Sequence, residues 1–283
     1  MIIWLASYPK SGNTYVRAFL SAYYFSENGQ FDFNQISKIK QFPDEEFFNQ
    51  KINSVKEAST QWIPAQRKIN QDKKIKFFKT HSCLANYKGN QFTSSETSLG
   101  AIYIVRDPRN VLTSIKNHFS LDNDEALKMI TDKNRGLISN NGSHASYSFI
   151  SSWSNNYLSW QRNRQFRRLF IKYEDLLTNK YETFRDIIVF SNTLMNRTEN
   201  IDKSKLQKAI ETTNFDILKN KEVSESFEGS KNSFKNWRNF HKENKNLFFN
   251  LGPENKWEKI LDKKTKEIIE TNFKSEMKEL KYL

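Results

Sequence analysis

Five apolar residues, Ile2–Ala6, run directly into a polar turn, Ser7–Asn13, and then into an apolar stripe at Val16, Phe19, Leu20 and Tyr23. The stripe has the i, i+3, i+4, i+7 spacing of one helix face, and the short apolar run has the form of a strand buried on both sides. A buried strand, a tight turn and a helix form the first half of a β-α-β unit. The pattern recurs. Ile75–Lys79 reads as a second strand. Ala101–Val105, bounded by Gly100 and Asp107, reads as a third. After it, Asp107 is placed to cap a helix with Pro108 at the first helical position, and Val111, Ile115 and Phe119 continue an apolar stripe. Leu169–Ile171 is a fourth strand, followed by a helix through Phe184, Ile187, Ile188 and Ser191. Further helices are expected at Leu206–Ile210 and over Lys263–Leu280, where Ile269, Phe273, Met277 and Leu280 share a face. The expected fold class is α/β: a P-loop-like single domain, residues 1–283, with a central, mostly parallel sheet flanked by helices. No internal repeat or Pro- or Gly/Ser-rich linker argues for a division.

Composition narrows the partners. Lys and Arg number 45 against 32 Asp and Glu, a formal charge of +13, which points to an anionic partner: nucleic acid, a membrane surface, or a phosphorylated or sulfated small molecule. The 23 Phe residues supply a core although hydrophobic residues make up only 37% of the chain. Cys83 is the sole cysteine, which excludes an intramolecular disulfide, and no Cys/His grouping has zinc spacing. No metal site is therefore expected. No apolar run reaches the roughly 20 residues of a membrane span. Lys10 interrupts the first apolar run too early for a secretory signal, so the expected location is cytoplasmic.

In parallel sheets ligands bind beyond the carboxyl ends of the strands, so the residues after each strand are the functional candidates. Lys10, Ser11, Gly12, Asn13 and Thr14 combine a cation, a glycine turn, polar side chains and a helix N-terminus. Such a loop is either a phosphate cradle or an ordinary capped turn with a solvated lysine. It is not a Walker A sequence, because the lysine precedes the glycine. At the end of the second strand stand Lys79 and His81, on the same side of an extended chain. A histidine is the side chain best suited to accept a proton near neutral pH, and it is also a common structural residue. Arg106 ends a buried strand, where an unpaired guanidinium is expensive and such an Arg usually pairs with a carboxylate or binds a ligand anion. Ser114 lies two helical turns further on, and Tyr173 follows the fourth strand.

Taken together these loops resemble the sulfotransferase family, which uses 3′-phosphoadenosine 5′-phosphosulfate (PAPS). The resemblance rests on Tyr8-Pro9-Lys10-Ser11-Gly12-Asn13-Thr14-Tyr15, on Lys79-Thr80-His81, and on Tyr103-Ile104-Val105-Arg106-Asp107-Pro108-Arg109-Asn110-Val111 with Ser114. It continues through Ser152-Trp153-Ser154 with Ser159-Trp160, and through Lys172-Tyr173-Glu174-Asp175-Leu176-Leu177. The resemblance implies that Lys10, Ser11, Gly12, Asn13 and Thr14 hold the 5′-phosphosulfate and that Tyr15, in place of the more usual Trp, stacks on adenine. It implies further that Arg106 and Ser114 take the 3′-phosphate, that Tyr173 contacts the nucleotide, and that Thr213 and Phe215 close the adenine slot. The family's Arg-Lys-Gly segment before a Trp has two counterparts, Lys231–Trp237 and Asn250–Trp257; the second fits the distance to the terminal helix better and gives Gly252 the role. His81 is then the general base, Lys10 neutralises the leaving phosphate, and Lys79 stabilises the transferring group, with no metal required. The acceptor is a small molecule or glycan between Asn117–Ser148 and Asp216–Lys245, segments whose polar content favours a hydrophilic hydroxyl or amine. Two alternatives stand beside this reading. One is a P-loop-type nucleotide kinase. The other is a nucleic-acid-binding protein using Arg162, Arg164, Arg167 and Arg168, a cluster that otherwise reads as a solvated helix face.

Overall fold

The computed structural model describes residues 1–140, 144–224 and 249–283, the side chains of residues 223 and 224 excepted. Five parallel strands form the central sheet in the order β2 (Lys40–Gln41), β3 (Lys76–Thr80), β1 (Ile2–Ser7), β6 (Ser98–Val105) and β9 (Arg167–Lys172). Two antiparallel hairpins lie outside it, β4 (Asn86–Tyr87) with β5 (Asn90–Gln91) and β7 (Gly136–Asn140) with β8 (Ala145–Phe149). The helices are α1 (Asn13–Phe25), α2 (Phe33–Ile36), α3 (Val55–Ile69), α4 (Pro108–Phe119), α5 (Asn123–Thr131) and α6 (Trp153–Gln161). They continue with α7 (Asp175–Thr178), α8 (Lys180–Leu194), α9 (Lys203–Thr212), α10 (Phe215–Ser224), α11 (Lys263–Asn272) and α12 (Lys274–Glu279).

The unbroken apolar character of β1 follows from its central place. Side chains alternate across a strand. Ile2, Trp4 and Ala6 enter one core with Trp62 of α3, Ile115 of α4 and Trp160 of α6. Ile3 and Leu5 enter the other with Phe19 of α1, Phe184 of α8 and Leu206 of α9. Each fully buried side chain of this size contributes roughly 1.5–3 kcal/mol, so both layers favour the same register. That register matters for the site: Ala6 pairs with Thr80, Ser7 with Ile104, and Val105 with Lys172. The four long strands therefore end together, and the loops after β1, β3, β6 and β9 share one edge.

The expected N-cap of α4 is present, with Asp107 Oδ1 accepting from the Arg109 amide at 2.9 Å and Pro108 at the first helical position. Two expectations are corrected. The stretch expected as one helix over Lys263–Leu280 is two helices, broken at Phe273 (φ −117°, ψ 19°). Ile269, Phe273 and Met277 remain on one buried side across the break, which is why periodicity alone does not reveal it. The arginines from Arg162 to Arg168 are not a helix face. α6 ends at Gln161, Arg167 and Arg168 belong to β9, and Arg168 donates to the Trp160 and Gln161 carbonyls at the end of α6 (3.3 and 3.0 Å). Among the described residues, no helix is long and apolar enough to cross a membrane.

Candidate active site

The turn between β1 and α1 is held in a left-handed conformation at two points, Lys10 (φ +66°) and Gly12 (φ +99°). Gly12 is required there twice over. A side chain at that φ is strained, and an added Cβ would stand 2.4 Å from Cδ2 of Tyr173. The tight turn brings Gly12, Asn13 and Thr14 to the start of α1, where helix geometry leaves amide N–H groups without intrahelical acceptors and the dipole is positive. Lys10, Gly12, Asn13, Thr14 and Tyr15 line the cleft above it. Ser11 is fully buried beneath the turn, and its hydroxyl has no partner among the described residues. The Asn13 side chain points back into the fold, donating to the Leu5 carbonyl (3.0 Å) and the Ser7 hydroxyl (3.2 Å). Asn13 thus fastens the turn to β1 with its side chain and offers the cleft its backbone.

His81 and Lys79 enter the same cleft from the end of β3. His81 Nδ1 lies 2.9 Å from the Ser7 carbonyl oxygen, with the Ser7 hydroxyl at 3.3 Å. A carbonyl only accepts, so this bond places the ring proton on Nδ1 and leaves the Nε2 lone pair available. Burial, then the charge of Lys79, hold the imidazole well below its ordinary range, so it is neutral at physiological pH. Lys79 Nζ donates to Gln41 Oε1 at 3.1 Å. Burial and the neighbouring charges of Arg17 and Lys10 push Lys79 down to about 7. Burial, with Arg106 as the repelling charge, brings Lys10 to about 7 as well. These lysines therefore gain most from an anion that restores their charge.

Arg106 lies over Tyr173, its guanidinium carbon 4.1 Å from the ring centroid. Nη1 donates to the Lys10 carbonyl at 3.0 Å and Nη2 reaches the Gly252 carbonyl at 3.5 Å, while buried Nε has no partner among the described residues. Ser114 of α4 lines the cleft beside it. Gly252 (φ +50°) packs so closely on Phe215 that an added Cβ would meet the ring at 2.2 Å. Phe215 and Tyr15 both line the cleft. Thr213 does not; it is fully buried, and its hydroxyl donates to the Ala209 carbonyl of α9. The segment around Gly252 is docked on α4, where Asn255 accepts from the Thr113 hydroxyl (2.8 Å) and donates to the Asn110 carbonyl (2.9 Å). The competing stretch Lys231–Trp237 lies outside the described residues.

Sequence reasoning missed Gln41, carried by the two-residue strand β2. Asn117, His118 and Phe119 of α4 with Leu137 and Ser139 of β7 line the cleft from within the expected wall Asn117–Ser148, while residues 225–245 of the other expected wall lie outside the described residues. No carboxylate lines the cleft among the described residues, whereas Lys10, Lys79 and Arg106 do. An orphaned guanidinium nitrogen, a buried orphan hydroxyl, two depressed lysines and an aromatic pair together fit a nucleotide carrying several anionic groups.

The sulfotransferase domain family model matches residues 2–281. Among solved structures, mouse sulfotransferase SULT7A1 complexed with PAP aligns at 15% identity over 97% of this chain and 83% of that chain, with a TM-score of 0.58. Retinol dehydratase in complex with androsterone and inactive cofactor PAP aligns at 15% identity over 98% and 80%, TM-score 0.55. Retinol dehydratase in a complex with retinol and PAP aligns at 17% identity over 98% and 81%, TM-score 0.56. At these identities the likeness is one of fold. No curated protein sequence matches the chain.

Proposed function

Because the chain belongs to the sulfotransferase domain family, we propose that this protein, as a single domain spanning residues 1–283, transfers a sulfuryl group from PAPS to a hydroxyl or amine of an acceptor. The observation that carries this reading is the convergence of Lys10, Lys79, His81 and Arg106 on one carboxyl edge of the sheet, in a cleft free of carboxylates among the described residues. Bound there, PAPS supplies an activated sulfuryl group on a phosphosulfate anhydride.

Lys10 and the first amides of α1 hold the 5′ end and take up the charge that develops on the leaving oxygen. Arg106 and Ser114 hold the 3′-phosphate, with Gly252 shaping that end of the cleft. Tyr15 and Phe215 flank the base, and Tyr173 supports Arg106 from below. His81 Nε2 takes the acceptor's proton, the Nδ1 bond to Ser7 keeping the ring in the required tautomer. Lys79, steadied by Gln41, faces the transferring group. Lysines and helix N–H groups carry the electrostatic load, so the reading calls for no metal ion. The polar side chains of Gln41, Asn117 and Ser139 beside Leu137 and Phe119 suit a small-molecule or glycan acceptor, handled in the cytoplasm.

Calorimetric titration with 3′-phosphoadenosine 5′-phosphate (PAP) tests the donor site, and labelled PAPS with an acceptor panel tests transfer. Saturable PAP binding and label transfer are expected. A protein that binds no PAP overturns the reading.

A further inference from the structure

Arg106 forms no ion pair among the described residues; its partners are the two carbonyls of Lys10 and Gly252. Besides those two carbonyls, its direction is set by the backbone that carries it and by the ring beneath it. Both belong to turns that meet at one carboxylate. Glu174 Oε1 accepts from the Asp107 amide, the residue after Arg106, at 3.1 Å. Glu174 is also the residue after Tyr173, whose ring lies under the guanidinium and against Gly12. The second oxygen, Oε2, accepts from the Tyr282 hydroxyl at 2.9 Å. Tyr282 is itself fixed, because its carbonyl accepts from Arg109 Nη2 at 2.7 Å, and the same nitrogen meets the Asp107 carboxylate at 2.7 Å. Arg109 is further bonded to Glu270 at 2.6 Å and lies 4.0 Å from the Trp257 ring centroid. The β6–α4 turn, the turn after β9 and Tyr282 thus close a bonded ring around the base of Arg106.

We propose that Glu174, anchored by Tyr282, is a positioning residue that aims Arg106 at the 3′-phosphate of the nucleotide. This rests on the sulfotransferase reading above. A half-buried carboxylate with both oxygens engaged by donors is held in place. With one donor gone it is left half-satisfied, and the Asp107 amide it holds gains freedom. The consequence is graded. Tyr15 and Phe215 at the adenine make no bond to Glu174, and the 5′ turn, though it touches Tyr173 at Gly12 and Arg106 at the Lys10 carbonyl, is also tied to β1 by Asn13. The backbone that carries Arg106, by contrast, is held by Glu174 directly.

The test compares PAP with adenosine 5′-phosphate (AMP), which lacks the 3′-phosphate, by calorimetry on the whole chain, with Tm measured for each variant. The unsubstituted protein is expected to prefer PAP. Tyr282→Phe and Glu174→Ala are expected to reduce the ratio of AMP to PAP dissociation constants by about fivefold or more, through weaker PAP binding alone. Glu174→Gln is expected to keep the ratio, since its amide oxygen accepts from Asp107 and its nitrogen donates to Tyr282. If Glu174→Ala fails to fold, Tyr282→Phe decides. An unchanged ratio in Tyr282→Phe, or equal weakening of PAP and AMP, overturns the positioning role. An unsubstituted protein that binds neither nucleotide overturns the sulfotransferase reading instead, and this proposal with it.

Discussion

His81 Nδ1 and the Ser7 carbonyl oxygen stand 2.9 Å apart, so the end of β1 fixes the tautomer of a histidine supplied by β3. The bond leaves Nε2 as the acceptor, and burial keeps the ring neutral. His81→Ala is expected to lower kcat by about 10²-fold or more, with PAP affinity within about twofold, because proton transfer and not nucleotide binding is removed. The base works when neutral and its pKa is depressed, so the acidic limb of kcat/KM is expected below the 6.5 of an ordinary histidine. A pH–rate profile with near-normal turnover in the variant would remove His81 from the mechanism.

Lys10 and Lys79 sit near 7 against an ordinary value of 10.5. A bound polyanion reverses the depression, so PAP binding is expected to take up protons at about pH 8, and affinity to fall as pH rises from about 7 to about 9. Titration in two buffers of different ionisation enthalpy reads the uptake directly. In the free protein the sign is opposite. Between about 7 and 10.5 the unfolded chain binds more protons at these lysines, so they make stability rise with pH in that window. Lys10→Gln is expected to abolish part of the uptake, and no uptake in the unsubstituted protein would refute the depressed lysines.

The strand–turn–helix beginnings were readable in the sequence because they depend on local period and capping. Ile2–Ala6, Ala101–Val105 and the Asp107-Pro108 helix start are within a few residues of the structure. The common edge for Lys10, His81 and Arg106 follows from parallel topology, which the alternation implies. What escaped depends on tertiary partners. Gln41 lies on a two-residue strand too short to carry a period, and Lys79 finds it only after β2 docks on β3. Asn13 has the same polar character whether it faces a ligand or, as here, the Leu5 carbonyl. Thr213 satisfies its hydroxyl within α9, a choice its sequence position does not reveal.

Gly252→Ala forces a conflict, because the new Cβ would stand 2.2 Å from two Phe215 ring carbons at a backbone φ of +50°. The expected result is PAP binding weaker by about tenfold and a stability loss of about 1–3 kcal/mol. Adding Phe215→Ala to Gly252→Ala removes the ring conflict, so the two stability losses are expected to be less than additive in thermal unfolding. A larger affinity loss from Lys231→Ala than from Gly252→Ala would transfer the 3′-phosphate role to the earlier segment.

Gln41 is the partner of Lys79, at 3.1 Å, and Arg17 donates to the Ile39 carbonyl at 2.7 Å where the chain enters β2. Gln41→Leu keeps the approximate volume but removes the acceptor, leaving Lys79 held less firmly in a buried, cation-rich setting. kcat is expected to fall by about tenfold while KM for PAPS changes by less than about twofold, the pattern of a lost transition-state contact. Gln41→Glu gives the opposite electrostatics. A carboxylate beside Lys79 raises the pKa of the lysine, so the basic limb of the kcat profile is expected to move to higher pH. At neutral pH the new negative charge offsets the cation facing the transferring group, and kcat is expected to stay below normal. A Gln41→Glu profile with an unmoved basic limb would show that the lysine titrating in turnover is Lys10, not Lys79.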